Sequence, residues 1–226
     1  MSANLMSLAS SGGKFLKLFG DRKMMKPLPY DAEVEWIKTE PNGGQRILTR
    51  VNLDVSDGFE VRAKVSYDSA FSDDNVFLGT DGNYALYLNT GRGNYPCVRV
   101  GAIWRFGQTI SAGFHTYETI IKGSSECYMK MDGADLQPSV IGSNSLGNKG
   151  ELGVFFNRGG SSFHSKGCSC GFLFMKVGEM IARDFIAVRF TNESGVSEGA
   201  MYDRVSGELF RNAGTGAFII GPDKTT

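Results

Sequence analysis

Residues 58–69 have the sequence GFEVRAKVSYDS, in which apolar and polar side chains alternate. One side of an extended chain would carry only apolar or aromatic groups, namely Phe59, Val61, Ala63, Val65 and Tyr67. The other side would carry polar groups, namely Glu60, Arg62, Lys64 and Ser66. This period of two indicates a β-strand with one face on a core and the other in solvent, as in an antiparallel sheet.

Similar segments recur along the body of the chain and predict about a dozen strands. They are VEWIKTE, QRILTRVNL, NVFLGTD, YALYLNT, CVRVGAIWRF, HTYETIIKG, ECYMKMDG, GELGVFFNR, GFLFMKV, MIARDFIAVRF, GAMYDR and GELFRN. Gly, Asn and Asp are frequent in the breaks between them, as tight turns require. No helical pattern separates the strands, which excludes a parallel α/β fold. We therefore expect an all-β fold, a two-sheet antiparallel jelly-roll sandwich.

The composition limits the classes of partner. The chain has 226 residues, 41% of them hydrophobic, and this length suits a single sandwich domain. Its 24 basic and 24 acidic residues cancel, so we expect no nucleic acid partner. The sequence contains no run of about 18 apolar residues, so we expect no membrane span.

The two ends of the body resemble a known family. The opening AEVEWIKTEPNGGQRILTRVNL, and the closing GFLFMKVGEMIARDFIAVRF followed by MYDRVSGELFRNAGTGAFIIGPD, are similar to those of the concanavalin A-like (laminin-G-like) jelly-roll family. This family occurs in phage virion proteins and bacterial surface proteins. The resemblance covers residues 30–223 and implies one sandwich domain over residues 29–226. It also implies that the first and last strands pair in one sheet and that the closing strands are packing elements.

The resemblance implies a function as well. We expect a non-enzymatic structural or attachment component of a bacteriophage virion, such as a capsid-decorating, head-fibre or tail protein, located in the virion. A bacterial carbohydrate-binding module is the first alternative. A glycoside hydrolase is the second, because the same fold class includes such enzymes.

The N-terminal arm, residues 1–28, lacks the alternation of the body and mixes basic with large apolar side chains. Its segment GKFLKLFGDRKMMK sets Phe15, Leu16, Leu18 and Phe19 among lysines. Two turns of helix bury too little area to hold a membrane surface alone. We therefore expect the arm to be an assembly segment that packs on its own domain, on other virion proteins or on a second copy in a homo-oligomer.

Carboxylates that could serve catalysis have structural interpretations. Glu33 and Glu35 alternate in AEVEW, as the paired carboxylates of a glycoside hydrolase can, but they also fit a solvated strand face. Asp203, next to Arg204, is expected to cap a turn or to form an ion pair. The sequence therefore predicts no catalytic residue, no enzyme activity and no cofactor.

The two histidines also favour a structural role. His115 shares a strand face with Tyr117 in GFHTYETI. Neither His115 nor His164 has a Ser or Cys nucleophile with a supporting carboxylate near it in sequence.

The cysteines leave three alternatives. His164, Cys168 and Cys170 lie together in HSKGCSCG and could contribute to a zinc site. A disulfide is possible too, whereas reduced thiols that act as small hydrophobes are the interpretation we favour for these and for Cys97 and Cys127. The acidic stretches DVSDG and SDDN could offer oxygens to Ca²⁺, but turns explain both. We expect no metal.

A glycan site is predicted where aromatic and planar hydrogen-bonding side chains gather. Sugars are held by aromatic faces together with such polar groups, and YALYLNTGRGNYPCVRVGAIWRF concentrates both around a Gly-rich loop. Alternation requires half of these side chains to face the core. The candidate ligand-binding residues are Tyr84, Asn89, Arg92, Tyr95 and Trp104, with a host-surface glycan as the ligand.

Overall fold

A computed structural model of the chain describes residues 27–41, 44–54, 58–67, 75–80, 85–89, 95–100, 102–122, 126–143, 149–156 and 167–225. The regular secondary structure in these ranges is entirely β. The strands are β1 (Ala32–Glu33), β2 (Ile37–Lys38), β3 (Ile47–Asp54), β4 (Phe59–Tyr67), β5 (Asn75–Thr80), β6 (Ala85–Asn89), β7 (Cys97–Val100), β8 (Ala102–Phe106), β9 (His115–Lys122), β10 (Glu126–Met131), β11 (Ala134–Leu136), β12 (Pro138–Ser143), β13 (Lys149–Val154), β14 (Cys168–Val177), β15 (Met180–Thr191), β16 (Ser197–Asp203), β17 (Glu208–Phe210) and β18 (Ile219–Ile220).

The strands form two antiparallel sheets. The larger sheet has eleven strands, with the main order β11-β10-β9-β4-β14-β15-β16-β17, and with β1 beside β15, β2 beside β14 and β18 beside β2. The smaller sheet has seven strands, in the order β12-β8-β7-β6-β5-β13-β3. Side chains of both sheets contribute to one main apolar cluster between them. The predicted all-β, two-sheet antiparallel sandwich is confirmed.

Strand β4 shows why the sequence folds this way. Every second residue from Phe59 to Tyr67 is buried in the main cluster, and the residues between them are half-buried or exposed. Strand β4 lies between β9 and β14 in the larger sheet. Its polar residues, including Arg62 and Lys64, therefore point away from the smaller sheet, onto what we call the outer face of the larger sheet.

Aromatic rings fill much of the space between the sheets. Phe155 meets Phe77 with ring centroids 6.0 Å apart and Phe218 with centroids 5.7 Å apart. A second pair, Phe185 and Phe210, packs edge to face at 4.9 Å. Such pairs contribute about 0.5–1.5 kcal/mol each beyond the area that they bury.

The two ends of the sandwich meet in the larger sheet, as predicted. Strand β2 pairs with β18 through Ile37 opposite Ile220 and Lys38 opposite Ile219. An isolated bridge joins Val34 to Asp223. Because Val34 and Ile37 are fully buried, the opening segment is part of the core. The boundary between arm and domain at residue 28 stays a prediction, since residues 1–26 lie outside the described residues.

One predicted strand is a hairpin. The sequence pattern predicts one strand segment over CVRVGAIWRF, but β7 and β8 pair antiparallel with Val100 opposite Ala102. The chain therefore reverses between Val100 and Ala102. Strands β11 and β12, absent from the predicted segments, extend the edges of the two sheets.

The cysteine interpretation is confirmed as reduced, buried thiols. Cys97, Cys127, Cys168 and Cys170 are buried thiols, and none of the four is joined in a disulfide. His164, the remaining residue of the alternative zinc site, lies outside the described residues. In the described ranges, no helix is long and apolar enough to span a membrane.

Candidate binding surfaces and a serine-histidine-aspartate cluster

The structure describes only part of the predicted glycan site. Tyr84 and Arg92 lie outside the described residues, and only the backbone of Asn89, at the end of β6, is described. Tyr95 and Trp104 are half-buried. Trp104 packs against the main core from the inner face of the smaller sheet. The structure therefore does not place Trp104 beside Tyr95 on one surface.

Tyr95 has a partner that the sequence did not suggest. The guanidinium carbon of Arg105 lies 4.6 Å from the centroid of the Tyr95 ring. Arg105 is opposite Cys97, and Arg99 is opposite Ile103 in the same hairpin, so both arginines lie on the outer face of the smaller sheet. A guanidinium stacked on a phenol ring offers a flat surface with hydrogen-bond donors at its rim.

The outer face of the larger sheet is described in full over five neighbouring strands. Its central row runs Lys130, Glu118, Arg62, Phe174 and Asp184, each opposite the next across adjacent strands. The Arg62 guanidinium carbon lies 4.6 Å from the centroid of Phe174. At about 4.8 Å per strand the row extends for about 19 Å, which is long enough for a short oligosaccharide.

Aromatic rings continue on either side of that row. Phe172 lies opposite Lys64, and the ammonium of Lys64 is 5.4 Å from the ring centroid of Phe114, which is 37% exposed. Tyr128 is 53% exposed, and the Lys122 ammonium is 6.0 Å from its ring. The surface thus combines two exposed rings, Phe114 and Tyr128, and two half-buried rings, Phe172 and Phe174, with cationic and carboxylate groups.

The candidate carboxylates have structural partners. Glu33 forms an exposed ion pair with Lys224, 3.3 Å between Nζ and Oε2. Arg204 forms a two-bond ion pair with Asp184, with distances of 3.0 and 2.8 Å. Asp203 accepts hydrogen bonds from the backbone of Val205 and Ser206. The predicted turn-capping role of Asp203 is therefore confirmed, whereas Arg204 pairs with Asp184 rather than with Asp203.

His115 belongs to a three-residue cluster. Its Nε2 lies 3.0 Å from Oγ of Ser111, and its Nδ1 lies 2.6 Å from Oδ2 of Asp132. The predicted face shared with Tyr117 is confirmed, because the two rings meet edge to face with centroids 6.2 Å apart. The predicted lack of a nearby nucleophile and carboxylate holds along the sequence only, since the fold brings both to His115.

One signal could have revealed Asp132. In the β9–β10 hairpin, Met131 lies opposite Tyr117. Extending this register by one residue places Asp132 opposite Thr116, and the N–H of Asp132 indeed donates to the Thr116 carbonyl at 2.8 Å. Ser111 carries no such signal, because it lies in the irregular loop between β8 and β9.

No protein-family model matches the sequence, and no curated protein sequence matches it. The structure is similar to the crystal structure of a candidate carbohydrate-binding protein from Bacteroides ovatus ATCC 8483, with a TM-score of 0.56 and 12% identity over 85% of this chain. Domains LG4-5 of mouse laminin α1 match with a TM-score of 0.43 and 10% identity over 87% of this chain. The chain spans 61% of the Bacteroides protein and 48% of the laminin segment.

The chain has a concanavalin A-like (laminin-G-like) fold. This bears out the fold that the two ends of the sequence predicted. At 12% identity the likeness extends to the fold alone, so a function for this lectin-like sandwich has to be argued from its surfaces.

Proposed function

We propose that this lectin-like sandwich binds carbohydrate without cleaving glycosidic bonds, through the outer face of its larger sheet. The row that centres on Arg62 and Phe174 carries the proposal, because it combines an aromatic ring with charged hydrogen-bonding groups on one flat surface. Sugar rings stack on aromatic side chains, and their hydroxyls bond to planar polar groups. Two further aromatic residues of this face, Phe114 and Tyr128, are exposed to solvent.

A glycan array with the full-length chain tests this proposal. Replacement of Phe174 by Ala should weaken binding about tenfold, the equivalent of one aromatic stack. Met180→Ser is a matched control, because Met180 is an exposed apolar residue at the β14–β15 turn, away from the row. Absence of binding to any glycan, or equal binding by the Phe174→Ala variant, would contradict the proposal.

The Tyr95→Ala variant distinguishes glycan binding at the smaller sheet from glycan binding at the larger sheet. If the smaller sheet holds the sugar, as the sequence predicted, this variant should lose binding and Phe174→Ala should keep it. The absence of glycosidic hydrolysis has its own test. The double variant Glu33→Gln with Glu35→Gln should show no loss of hydrolytic activity relative to the native protein. Release of reducing sugar that this double variant abolishes would favour a glycoside hydrolase.

The biological setting of the binding stays a prediction. The sequence resemblance predicts a virion protein with a host-surface glycan as partner, whereas the fold fits a bacterial carbohydrate-binding module equally well. Immunogold electron microscopy with an antibody against the sandwich would distinguish them, because only the virion role predicts label on phage particles.

A further inference from the structure

Ser111, His115 and Asp132 form a hydrogen-bonded cluster beside the start of β9 in the larger sheet. Ser111 lies in the loop between β8 and β9, His115 is the first residue of β9, and Asp132 lies in the turn between β10 and β11. The two side-chain hydrogen bonds measure 3.0 Å and 2.6 Å. The order is that of a nucleophile, a base and a group that orients the base.

The positions of the protons follow from the acceptors. Asp132 accepts from the imidazole of His115 and, through Oδ1, from the backbone N–H of Thr116 at 2.8 Å. These two hydrogen bonds lower the pKa of Asp132, so the carboxylate stays ionised at neutral pH. Because a carboxylate can only accept, Nδ1 carries a proton, and in the singly protonated ring Nε2 has the lone pair. The lone pair on Nε2 then faces the Ser111 hydroxyl.

Neighbouring groups fix the position of His115, whereas Ser111 is accessible to solvent. The His115 side chain is 13% exposed and is packed edge to face against Tyr117, whereas Ser111 is exposed. A side chain added at Gly113 would meet nothing within 4 Å, so the loop is open to a bulky molecule. The backbone N–H groups of Ala112 and Gly113 donate to no other residue within the described ranges. They directly follow Ser111 in the chain and are candidate donors to an oxyanion.

We propose that Ser111 is a nucleophile toward carboxylic esters, with His115 as its general base and Asp132 as the positioning residue. The Ser111 Oγ attacks the ester carbonyl carbon while its proton passes to Nε2 of His115. The C–O bond to the alcohol then breaks, and the departing oxygen takes that proton from Nε2. Water attacks the acyl-serine, gives a proton to Nε2, and the proton returns to Oγ as the acid leaves. Ester and water thus become acid and alcohol.

The carbonyl oxygen of Ser111 is a second acceptor that can stabilise the protonated form of His115. Nε2 of His115 lies 3.2 Å from the carbonyl oxygen of Ser111 as well as 3.0 Å from Oγ. When the ring holds both protons, Nε2–H can donate to that carbonyl while Oγ is bonded to the acyl carbon. The inference is independent of the glycan proposal, and it opposes the expectation that the protein has no catalytic residue.

The test uses the full-length protein, a fluorophosphonate probe and p-nitrophenyl acetate. We expect the probe to attach to Ser111, as located by peptide mass spectrometry, and we expect Ser111→Ala to abolish both labelling and ester hydrolysis. Ser139→Ala, which removes another exposed serine, should leave both rates unchanged. An unlabelled native protein, or equal labelling of Ser111→Ala, would overturn the proposal.

Asp132→Asn tests the positioning role. Asn can still accept from Thr116, but its amide would face Nδ1 with a donor and favour the wrong tautomer of His115. We expect labelling to slow by at least about 100-fold, with an unchanged far-UV circular dichroism spectrum. The strongly deshielded proton of the His115–Asp132 hydrogen bond should also disappear from the proton NMR spectrum. Labelling at the native rate would assign the cluster to loop structure alone and overturn the role of Asp132.

Discussion

Asp203 is a buried carboxylate whose oxygens are engaged by the turn that follows β16. It is fully buried and accepts from the backbone N–H groups of Asp184, Val205 and Ser206, at 2.9, 3.1 and 3.2 Å. The Ser206 hydroxyl donates to it at 2.8 Å. Asp203 also has a charged neighbour, Arg183, 3.7 Å away. A carboxylate whose partners come from its own turn and from β15 holds the closing hairpin together and is not placed to react with a ligand.

We expect Asp203→Asn to destabilise the fold by about 2–4 kcal/mol, because the amide turns a donor toward buried N–H groups. Asp184→Asn is the matched control, since it breaks only the partly exposed pair with Arg204 and should cost less than about 1 kcal/mol. Urea unfolding followed by tryptophan fluorescence measures both. Equal losses for the two variants would contradict the turn-capping role.

The thiols should be unreactive in the native protein. Burial raises the pKa of Cys127 to about 12 and raises the pKa of Cys170 further, so thiolate is scarce at neutral pH. We expect the native chain to react with Ellman's reagent at least about 100-fold more slowly than the unfolded chain. In urea all four cysteines should titrate. A titre of two thiols per chain would show that the other two cysteines form a disulfide.

Alternation predicts which side chains share a face, but not which face is inside. It placed Arg62 and Lys64 on the polar side of β4 correctly, because that strand has one wholly apolar side. In CVRVGAIWRF both sides carry large groups, so Trp104 could not be assigned to the core from sequence. The Ser111–His115–Asp132 cluster was missed for another reason. Its distances depend on the path of a loop and on the register of a hairpin, which local patterns do not fix.

Strand β18 shows how the terminal elements stabilise the sandwich. It pairs with β2, which in turn pairs with β14, so the two ends of the domain are joined through the middle of the larger sheet. Phe218, just before β18, is 5% exposed and packs on Phe155, whereas Ile219 is 42% exposed. Adjacent residues therefore face the core and the solvent.

Phe218→Ala should cost about 3–5 kcal/mol, since it leaves a cavity beside Phe155 in the main cluster. Ile219→Ala removes a side chain of similar hydrophobicity from the exposed side and should cost less than about 0.5 kcal/mol. Thermal unfolding monitored by circular dichroism compares the two. If Ile219→Ala proved the more damaging, β18 would be facing the other way.

The pairing of the ends could be predicted at the scale of elements, whereas the β7–β8 hairpin could not. The opening and closing segments carry enough characteristic residues to identify the fold, and the fold then fixes their proximity. In CVRVGAIWRF the only signal for a reversal is a single glycine, and an isolated glycine also fits a continuous strand with a bulge. Short turns without Asn-Gly or Asp-Gly therefore escape detection.

For the whole molecule, the two-sheet architecture followed from strand periodicity, but the strand order did not. Strand β14 lies between β4 and β15, which pairs Cys168 with Tyr67 across about a hundred residues of chain. Such contacts depend on the packing of all strands at once. The same packing creates the surface row on the larger sheet, whose members come from five strands.

The start of the sandwich packs on the outer face of the larger sheet. The Tyr30 ring lies 5.0 Å from that of Tyr202, beside a second apolar cluster of Ile186, Val188 and Phe190. These residues are on the outer face of the larger sheet, because their neighbours Phe185 and Ala187 face the main core. Tyr30, close to the first described residue, therefore lies at that face, on the side where β15 and β16 lie.

We expect deletion of residues 1–28 to leave a soluble, folded sandwich that no longer assembles. Folding should survive because the buried opening segment begins beyond the deletion, at Val34 and Ile37, and because Leu28 itself is 59% exposed. Assembly should fail because the large apolar side chains of the arm need cover, and burial at about 25 cal/mol per Å² offsets the cost of ordering them. Circular dichroism checks the fold, and analytical ultracentrifugation compares the mass of the deleted and full-length chains. Replacing Phe15, Leu16, Leu18 and Phe19 by Ser in the full chain is the matched control for length, and it should reproduce the deletion. A deleted chain that sediments with the same oligomeric mass as the full one would contradict the assembly role of the arm.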